Sequence, residues 1–209
     1  EKERLRTKPD GMLADTPHPA ALGSALTHPN ITTDFSESQL ELITGVHAAA
    51  ADCVREITEI HQYVYRHIGD ELLWVASMPC KLPEDDRIPL GRYGSSNVGR
   101  AKTVYRQGLS HRYGRRMQTI SGIHYNFSLP DSAWPLLMQA DGSRAGEQDF
   151  RSAAYFSLIR NFRRHSWLLL YLFGASPATC ASFVEGRQHG LQQLAGGTMY
   201  LPHATSLRM

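Results

Sequence analysis

The stretch Met117-Gln118-Thr119-Ile120-Ser121-Gly122-Ile123-His124-Tyr125-Asn126-Phe127-Ser128 decides how this chain is read. Side chains of a strand point alternately to its two faces, and the stretch alternates throughout, so a strand is expected over 117–128. One face carries Met117, Thr119, Ser121, Ile123, Tyr125 and Phe127. It grows more apolar toward its end and is expected to pack on a core. The other carries Gln118, Ile120, Gly122, His124, Asn126 and Ser128. That face is polar, bears a histidine, and has a glycine in mid-strand, where a ligand or another backbone often comes close. Two readings are open: a half-solvated sheet, or a sheet that offers its polar face to something bound.

Working outward, two other segments place acidic groups on strand faces. Glu1-Lys2-Glu3-Arg4-Leu5-Arg6 also alternates, with Glu1, Glu3 and Leu5 on one face and Lys2, Arg4 and Arg6 on the other. Carboxylates at i and i+2 stand roughly 7 Å apart on one side, a spacing that suits two adjacent magnesium ions. The plainer alternative is a charged edge strand. Pro9-Asp10-Gly11 is a turn signal. Residues 15–31, with Pro17, Pro19, Gly23 and Pro29, read as a loop. A strand follows over Ser38–Thr44, with Gln39, Glu41 and Ile43 on one face and Leu40 and Leu42 on the other. Glu41 then sits among apolar neighbours, which is costly unless it is paired, bound to a cation, or left in water on an edge.

The remaining elements follow from periodicity. Val46 to Ile68 has apolar residues at three- and four-residue steps and predicts a packing helix, with His61 and His67 on its surface. Leu72–Ser77 predicts a strand, and Met78-Pro79-Cys80 turns out of it into a mixed-charge loop over 81–97. Cys80 is either a reactive thiol or a small buried residue. The Gly/Ser-rich lead Tyr93–Arg100 opens a helix ending near Gly114, and a helix start after such a lead can hold an anion. Arg100, Lys102, Arg106, Arg112, Arg115 and Arg116 make this the most basic region. A solvated helix face, an anionic substrate and nucleic acid are its three readings. Val104, Leu109 and the acidic residues upstream break the continuous stripe the last would need. A short helix is expected around 132–139, and a long one over Gln148–Leu172 whose all-apolar end, Trp167–Phe173, should be buried. Gly174-Ala175-Ser176-Pro177 breaks it, a short helix follows near Ala178–Val184, and Tyr200–Arg208 reads as extended.

Composition bounds the function classes. The 22 basic and 20 acidic residues leave a net charge of +2, too balanced to argue for nucleic acid by itself. Cys53, Cys80 and Cys180 are odd in number and far apart, giving neither a disulfide framework nor a zinc knuckle, which points to a reducing, cytoplasmic compartment. The longest apolar run, Trp167–Phe173, is far short of the ~20 residues of a membrane span, and no signal peptide is visible. No interior linker appears, so one domain over 1–209 is expected. Its opening on Glu1 and its stop at Met209 read as a piece of a longer protein.

Strands and helices alternate irregularly, which predicts an α+β fold. The polar strand faces offer Glu1, Glu3, Glu41 and His124, with Asp34 close by. Carboxylates with one imidazole suit a hard divalent cation better than zinc. On spacing alone this is a magnesium-dependent phosphoryl-transfer site.

Several segments, taken in order, carry a resemblance. They are Glu1–Arg6, Leu22-Gly23-Ser24-Ala25-Leu26-Thr27-His28-Pro29, Ile31-Thr32-Thr33-Asp34-Phe35, Ser77-Met78-Pro79-Cys80, Met117–Ser128, Tyr171-Leu172-Phe173-Gly174-Ala175-Ser176-Pro177 and Ala204-Thr205-Ser206-Leu207-Arg208. Together they closely resemble the glutamate–cysteine ligases of the proteobacterial type, over the whole chain but over somewhat under half of the family enzyme. The resemblance implies a curved, largely antiparallel sheet with flanking helices, similar to the catalytic domain of glutamine synthetase. It implies an ATP-dependent ligase that joins L-glutamate to L-cysteine through a γ-glutamyl phosphate, the first step of glutathione synthesis. Magnesium (or manganese) is the implied cofactor and ATP a co-substrate, with neither nucleic acid nor membrane as partner. By the same resemblance Glu1, Glu3, Asp34, Glu41 and His124 look like metal ligands, Glu41 and His124 being central to catalysis. Gln118 and Ile120 resemble pocket-lining positions, Tyr105 and Leu109 further substrate contacts, and Phe35 and Arg208 parts of the cysteine pocket. Cys80 is similar to a family cysteine without an assigned role. A further carboxylate ligand, a phosphate-facing arginine and aromatic contacts to cysteine lie in the part of the family enzyme beyond this chain, so the 209-residue piece is expected to lack ligase turnover by itself. A related ligase accepting another amine, and a non-catalytic relic of the fold, are the alternatives.

Overall fold

Strand β1 (Lys2–Thr7) is the centre of a four-stranded antiparallel sheet in the order β2-β3-β1-β4. The computed structural model describes every residue except 80, 174, 175, 205, 206, 208 and 209. β3 (Gln39–Leu42) pairs with β1 in a register that sets Glu3 opposite Glu41 and Leu5 opposite Gln39. β2 (Ile31–Thr33), too short for its periodicity to announce it, pairs with the other edge of β3. β4 is only Leu72–Leu73. The expected strand over 72–77 stops there: Trp74 N–H still reaches Leu5 O (2.8 Å), but Ser77 O accepts from Ser121 instead.

The alternation in β1 and β3 splits the sheet by chemistry. Leu40 and Leu42 turn to one side and join Ile31, Ile60, Val64, Ile68 and Leu73 in the main core. Helix α1 (Ala50–His67) covers that side. It starts four residues later than periodicity predicts. Gly45 N–H and His47 Nε2 both reach back to the Glu56 carboxylate (2.8 and 2.6 Å), so 45–49 folds against the helix instead of extending it, and Val46 is fully exposed. Leu5 belongs to a second cluster with Leu13 and Ile88. Arg6 is fully buried and held by Glu71 (2.6 Å), Thr16 and the Glu37 carbonyl, which compensates a charge otherwise too costly to bury. The turn at Pro9–Asp10 forms, with Gly11 at φ 84°.

Helix α2 (Asn97–Tyr113) begins where Ser96 accepts from the Gly99 N–H, and Gly114 ends it. The expected strand over 117–128 is not present as one element. Residues 116–119 form a 3₁₀ turn because Asp85 takes the N–H groups of Arg115 and Arg116 (3.0 and 2.9 Å) and Thr119 Oγ1 bonds back to Arg116 O. Only 120–124 runs extended, antiparallel to the start of β1. The apolar end does not reach a core: Ile123, Tyr125 and Phe127 are 73%, 79% and 58% exposed.

The chain folds as two compact units, one of Glu1–His124 with Thr179–Tyr200, the other of Tyr125–Ala178 with the described residues from Leu201 onward. The second unit is built on helices α3 (Ala133–Asp141) and α4 (Glu147–Phe173), joined through a left-handed Gly142. Trp134, 1% exposed, is their shared centre, with Tyr155 at 5.1 Å and Phe150 at 6.5 Å between ring centroids. The expectation that Trp167–Phe173 is buried is overturned: these residues are 42–81% exposed and α4 buries none of its side chains fully. An apolar surface needs a partner surface to be buried against, and α4's packing on α3 is confined to its first half. The helix expected over 178–184 is a strand β5 (Ala178–Cys180) running into a one-turn helix α5 (Ala181–Val184). β6 (Gln192–Gln193) and β7 (Thr198–Tyr200) complete a small sheet, order β5-β7-β6. After Tyr200 the chain turns at Pro202–His203, with His203 at φ 62°, and so is not extended there.

Candidate metal centre

The register of β1 and β3 creates the site. Opposed residues of an antiparallel pair share a face, so Glu3 and Glu41 stand side by side, with Glu1 just before β1 on the same face. The 120–124 segment closes the other flank. Glu1 and His124 exchange backbone hydrogen bonds (3.0 and 2.9 Å), and Glu3 N–H donates to Gly122 O (3.0 Å). This pairing brings the His124 ring onto the acidic face. Its Nδ1 lies 3.1 Å from Glu1 Oε2 and its Nε2 3.4 Å from Glu3 Oε1. Donor atoms of Glu1, Glu41 and His124 all lie within 4.8 Å of one another. Asp34, just after β2, sits near enough that its charge raises the proton affinity of both Glu3 and Glu41.

The electrostatics are those of carboxylates crowded together. Burial, and then the charges of Asp34, Glu1 and Glu3, push the Glu41 carboxyl up to about 7. Burial also raises Glu3, against the Gly122 N–H that donates to it at 2.7 Å, and raises Asp34, against the N–H of Phe35. Glu1 moves the other way, lowered by its hydrogen bond with His124, and His124 is raised by the same bond. Glu1 and Glu41 also act on each other, Glu1 being lowered by Glu41 and Glu41 raised by Glu1. Crowded carboxylates repel one another when charged, and a divalent cation among them would offset that repulsion.

The donor set fits such an ion: hard oxygens, one imidazole, no thiol. Gly122 adds room. A Cβ there would stand 3.5 Å from His124 Nε2 and 3.7 Å from Glu3 Oε2, filling the space between two donors.

The other expected site residues are distributed around this group. Gln118 lies half-buried in the 3₁₀ turn, and Ile120, also half-buried, begins the extended segment. Tyr105 (66% exposed) and Leu109 lie one turn apart on α2. Phe35 is buried, 3% exposed, directly after Asp34. Arg208 and Cys80 lie outside the described residues. Three residues were missed by sequence reasoning. Arg106 Nε donates to Asp34 O while its guanidinium lies 4.5 Å over the Tyr93 ring, and the Tyr93 hydroxyl donates to Asp34 O at 2.8 Å. Gln39, on the Glu41 face of β3, reaches Ile120 O. The alternation that placed Glu41 also placed Gln39, but no one-dimensional signal gave its partner. The basic region itself is partly committed to structure: Arg115 Nη1 donates to Asp86 O and Ile88 O (2.7 and 2.9 Å), and Arg116 to Pro83 O and Ser182 O. No helix among the described residues is long and apolar enough to cross a membrane.

Glutamate–cysteine ligase from Alcanivorax borkumensis is 60% identical over 209 residues, all of this chain and 40% of that protein. The Pseudomonas putida glutamate–cysteine ligase is 58% identical over the same length and share. Among solved structures, a Francisella tularensis glutamate–cysteine ligase in complex with AMP matches 99% of this chain and 40% of its own, with a TM-score of 0.87 and 39% identity. A bifunctional glutathione synthetase from Pasteurella multocida matches 88% of this chain and 24% of its own, with a TM-score of 0.78 and 38% identity. The chain therefore spans about two-fifths of the length of the glutamate–cysteine ligases it matches. The fold is the mixed helix and antiparallel-sheet fold of these carboxylate–amine ligases. The glutamate–cysteine ligase family model matches residues 1–209 from end to end, and the chain belongs to that family.

Proposed function

We propose that this chain is the cation-binding part of an ATP-dependent carbon–nitrogen ligase that joins the γ-carboxylate of L-glutamate to the amine of L-cysteine. The observation that carries this reading is the convergence of Glu1, Glu41 and His124 donor atoms on one side of the sheet, with Glu3 and Asp34 beside them. The AMP bound in the Francisella relative supports a nucleotide as co-substrate. Both compact units belong, in this reading, to the N-terminal part of one cytoplasmic catalytic domain.

Glu1, Glu3, Asp34, Glu41 and His124 would hold magnesium, or manganese in its place. When bound, the cation supplies positive charge against the oxygens of the phosphoryl group passing from ATP to the glutamate side chain. The chain's own part is positioning. β1 and β3 fix three carboxylates at the spacing of paired strands, so little reorganisation is left when charge develops. Gln118, Ile120, Tyr105, Leu109, Phe35 and Arg208 are assigned to the substrates. The γ-glutamyl phosphate formed in the first step is then attacked by the cysteine amine, and phosphate leaves.

The test is ATP consumption coupled to magnesium, glutamate and cysteine in the full-length polypeptide. Glu41→Ala or His124→Ala should lower turnover by about 10²–10³-fold, the usual cost of removing one charge-stabilising group, while the folded state persists. Unchanged turnover would remove both residues from the site. Residues 1–209 alone should show no turnover, because the relatives' remaining three-fifths is absent from it.

A further inference from the structure

The cation cluster is assembled from segments that are far apart in sequence, and one residue outside it touches several of them. Gln39 is fully buried on β3. It precedes Glu41 by two residues and shares its face. Its backbone carbonyl accepts from the Asp34 N–H at 2.9 Å. Across the strand pair it faces Leu5, two residues from Glu3. Its side-chain Nε2 donates to Ile120 O at 3.1 Å and lies 3.4 Å from Ser121 Oγ. The amide orientation is forced, since a carbonyl oxygen can only accept. Its Oε1 is buried and has no hydrogen-bond partner among the described residues.

The 120–124 segment needs such a hold. It is not part of a regular strand, and only Gly122–His124 is paired with the start of β1. Upstream of that pairing, Ser121 is held by Ser77, its N–H donating to Ser77 O at 2.9 Å and its carbonyl accepting from the Ser77 hydroxyl. Gln39 supplies the tie from the sheet side. Without it, Ile120 O loses its donor, and the height of Gly122 and His124 against Glu3 and Glu1 is left to Ser77 and the pairing with the start of β1.

We propose that Gln39 is a positioning residue for the ligase reaction: it sets the His124-bearing segment at the depth at which the imidazole meets the carboxylates of β1 and β3. This rests on the cation-site reading above. Gln39 touches neither cation nor substrate and acts through Ile120 and Ser121. Its unpaired Oε1 is what makes the role separable from stability. Gln39→Met removes one good hydrogen bond and one orphaned buried acceptor together, and these oppose each other, so the metal-free fold should change little.

The experiment measures thermal unfolding of the full-length polypeptide against manganese concentration, without nucleotide or amino acid, for the wild type, Gln39→Met and Glu41→Gln. Gln39→Met should unfold within a few degrees of wild type when metal-free, and should need about 10–100-fold more manganese for half of the upward shift, the usual cost of losing a residue that orients a ligand. Glu41→Gln should abolish the shift. If Glu41→Gln leaves the titration unchanged, the cation-site reading itself fails. If Glu41→Gln abolishes the shift but Gln39→Met titrates like wild type, the inference about Gln39 fails alone. It fails equally if Gln39→Met loses stability without losing manganese affinity, because that is a merely structural residue. Should Gln39→Met not fold, Gln39→Leu removes the same donor and acceptor without adding a charge and carries the same expectations.

Discussion

The two compact units spend their apolar residues in opposite ways. Among the described residues, every buried apolar side chain lies in the unit built on the four-stranded sheet, except Trp134 in the helical unit. The helical unit's longest element shows solvent a run of seven large apolar side chains, Trp167–Phe173. Both regions are rich in apolar residues. The difference is that β3 meets β1 on one side and α1 on another within the chain, whereas the second half of α4 finds no such partner among the described residues. Burial is a property of paired surfaces, not of hydrophobic letters. The polar cluster sits with the well-packed unit, as a preorganised site requires.

The largest effect expected from this contrast is at Trp134, the one large anchor of the helical unit. Trp134→Ala should cost that unit about 3–5 kcal/mol. It would also strip the ring from an Arg151 stacked at 5.2 Å. Hydrogen exchange should show α3 and the first half of α4 losing protection while β1 and β3 keep theirs. Loss of protection in both units together would make them one cooperative body and end the distinction. A smaller, paired test compares two truncations. Leu40→Ala, at a fully buried position, should lower the denaturation free energy of the 209-residue chain by about 2–5 kcal/mol. Phe173→Ala, 81% exposed, should stay within about 0.5 kcal/mol. Equal costs in urea titrations would mean the helix end is covered in solution.

The smallest effect is pH-dependent and belongs to the sheet unit. His18 is held below its ordinary value of 6.5 by burial, which outweighs the attraction of Glu37. Its Nδ1 meets Thr33 Oγ1 at 3.1 Å. A histidine with a depressed folded-state value binds its proton more readily when unfolded. Its contribution is therefore complete above the ordinary value and is lost as pH falls through the folded-state value. His18→Gln should flatten the decline in melting temperature on going from about pH 7 to about pH 5, by a few degrees at most. A steeper decline in the variant would place the proton on the folded form.

How much was legible beforehand differs by element. β3 was, because short alternation with Gln39 and Glu41 on one face and leucines on the other leaves only one way to bury Leu40 and Leu42, and β1 was, because its residues alternate without a break. α2 was bounded closely at its end by Gly114 and only loosely at its start by the lead Tyr93–Arg100. The convergence of Glu1, Glu3, Glu41 and His124 was anticipated from faces and from family likeness, and their side chains stand within reach of one another. The 117–128 stretch misled in part, since Asp85 and Thr119 make a turn out of letters that alternate as a strand does.

The sequence by itself determined which residues could bind a hard cation and which strand faces they occupy, because side-chain chemistry and a two-residue period are local. Only the tertiary structure decided the register that opposes Glu3 to Glu41, the tie from Gln39 to Ile120, and the exposure of Trp167–Phe173. Each of these depends on which distant surface meets which, and no local period encodes that.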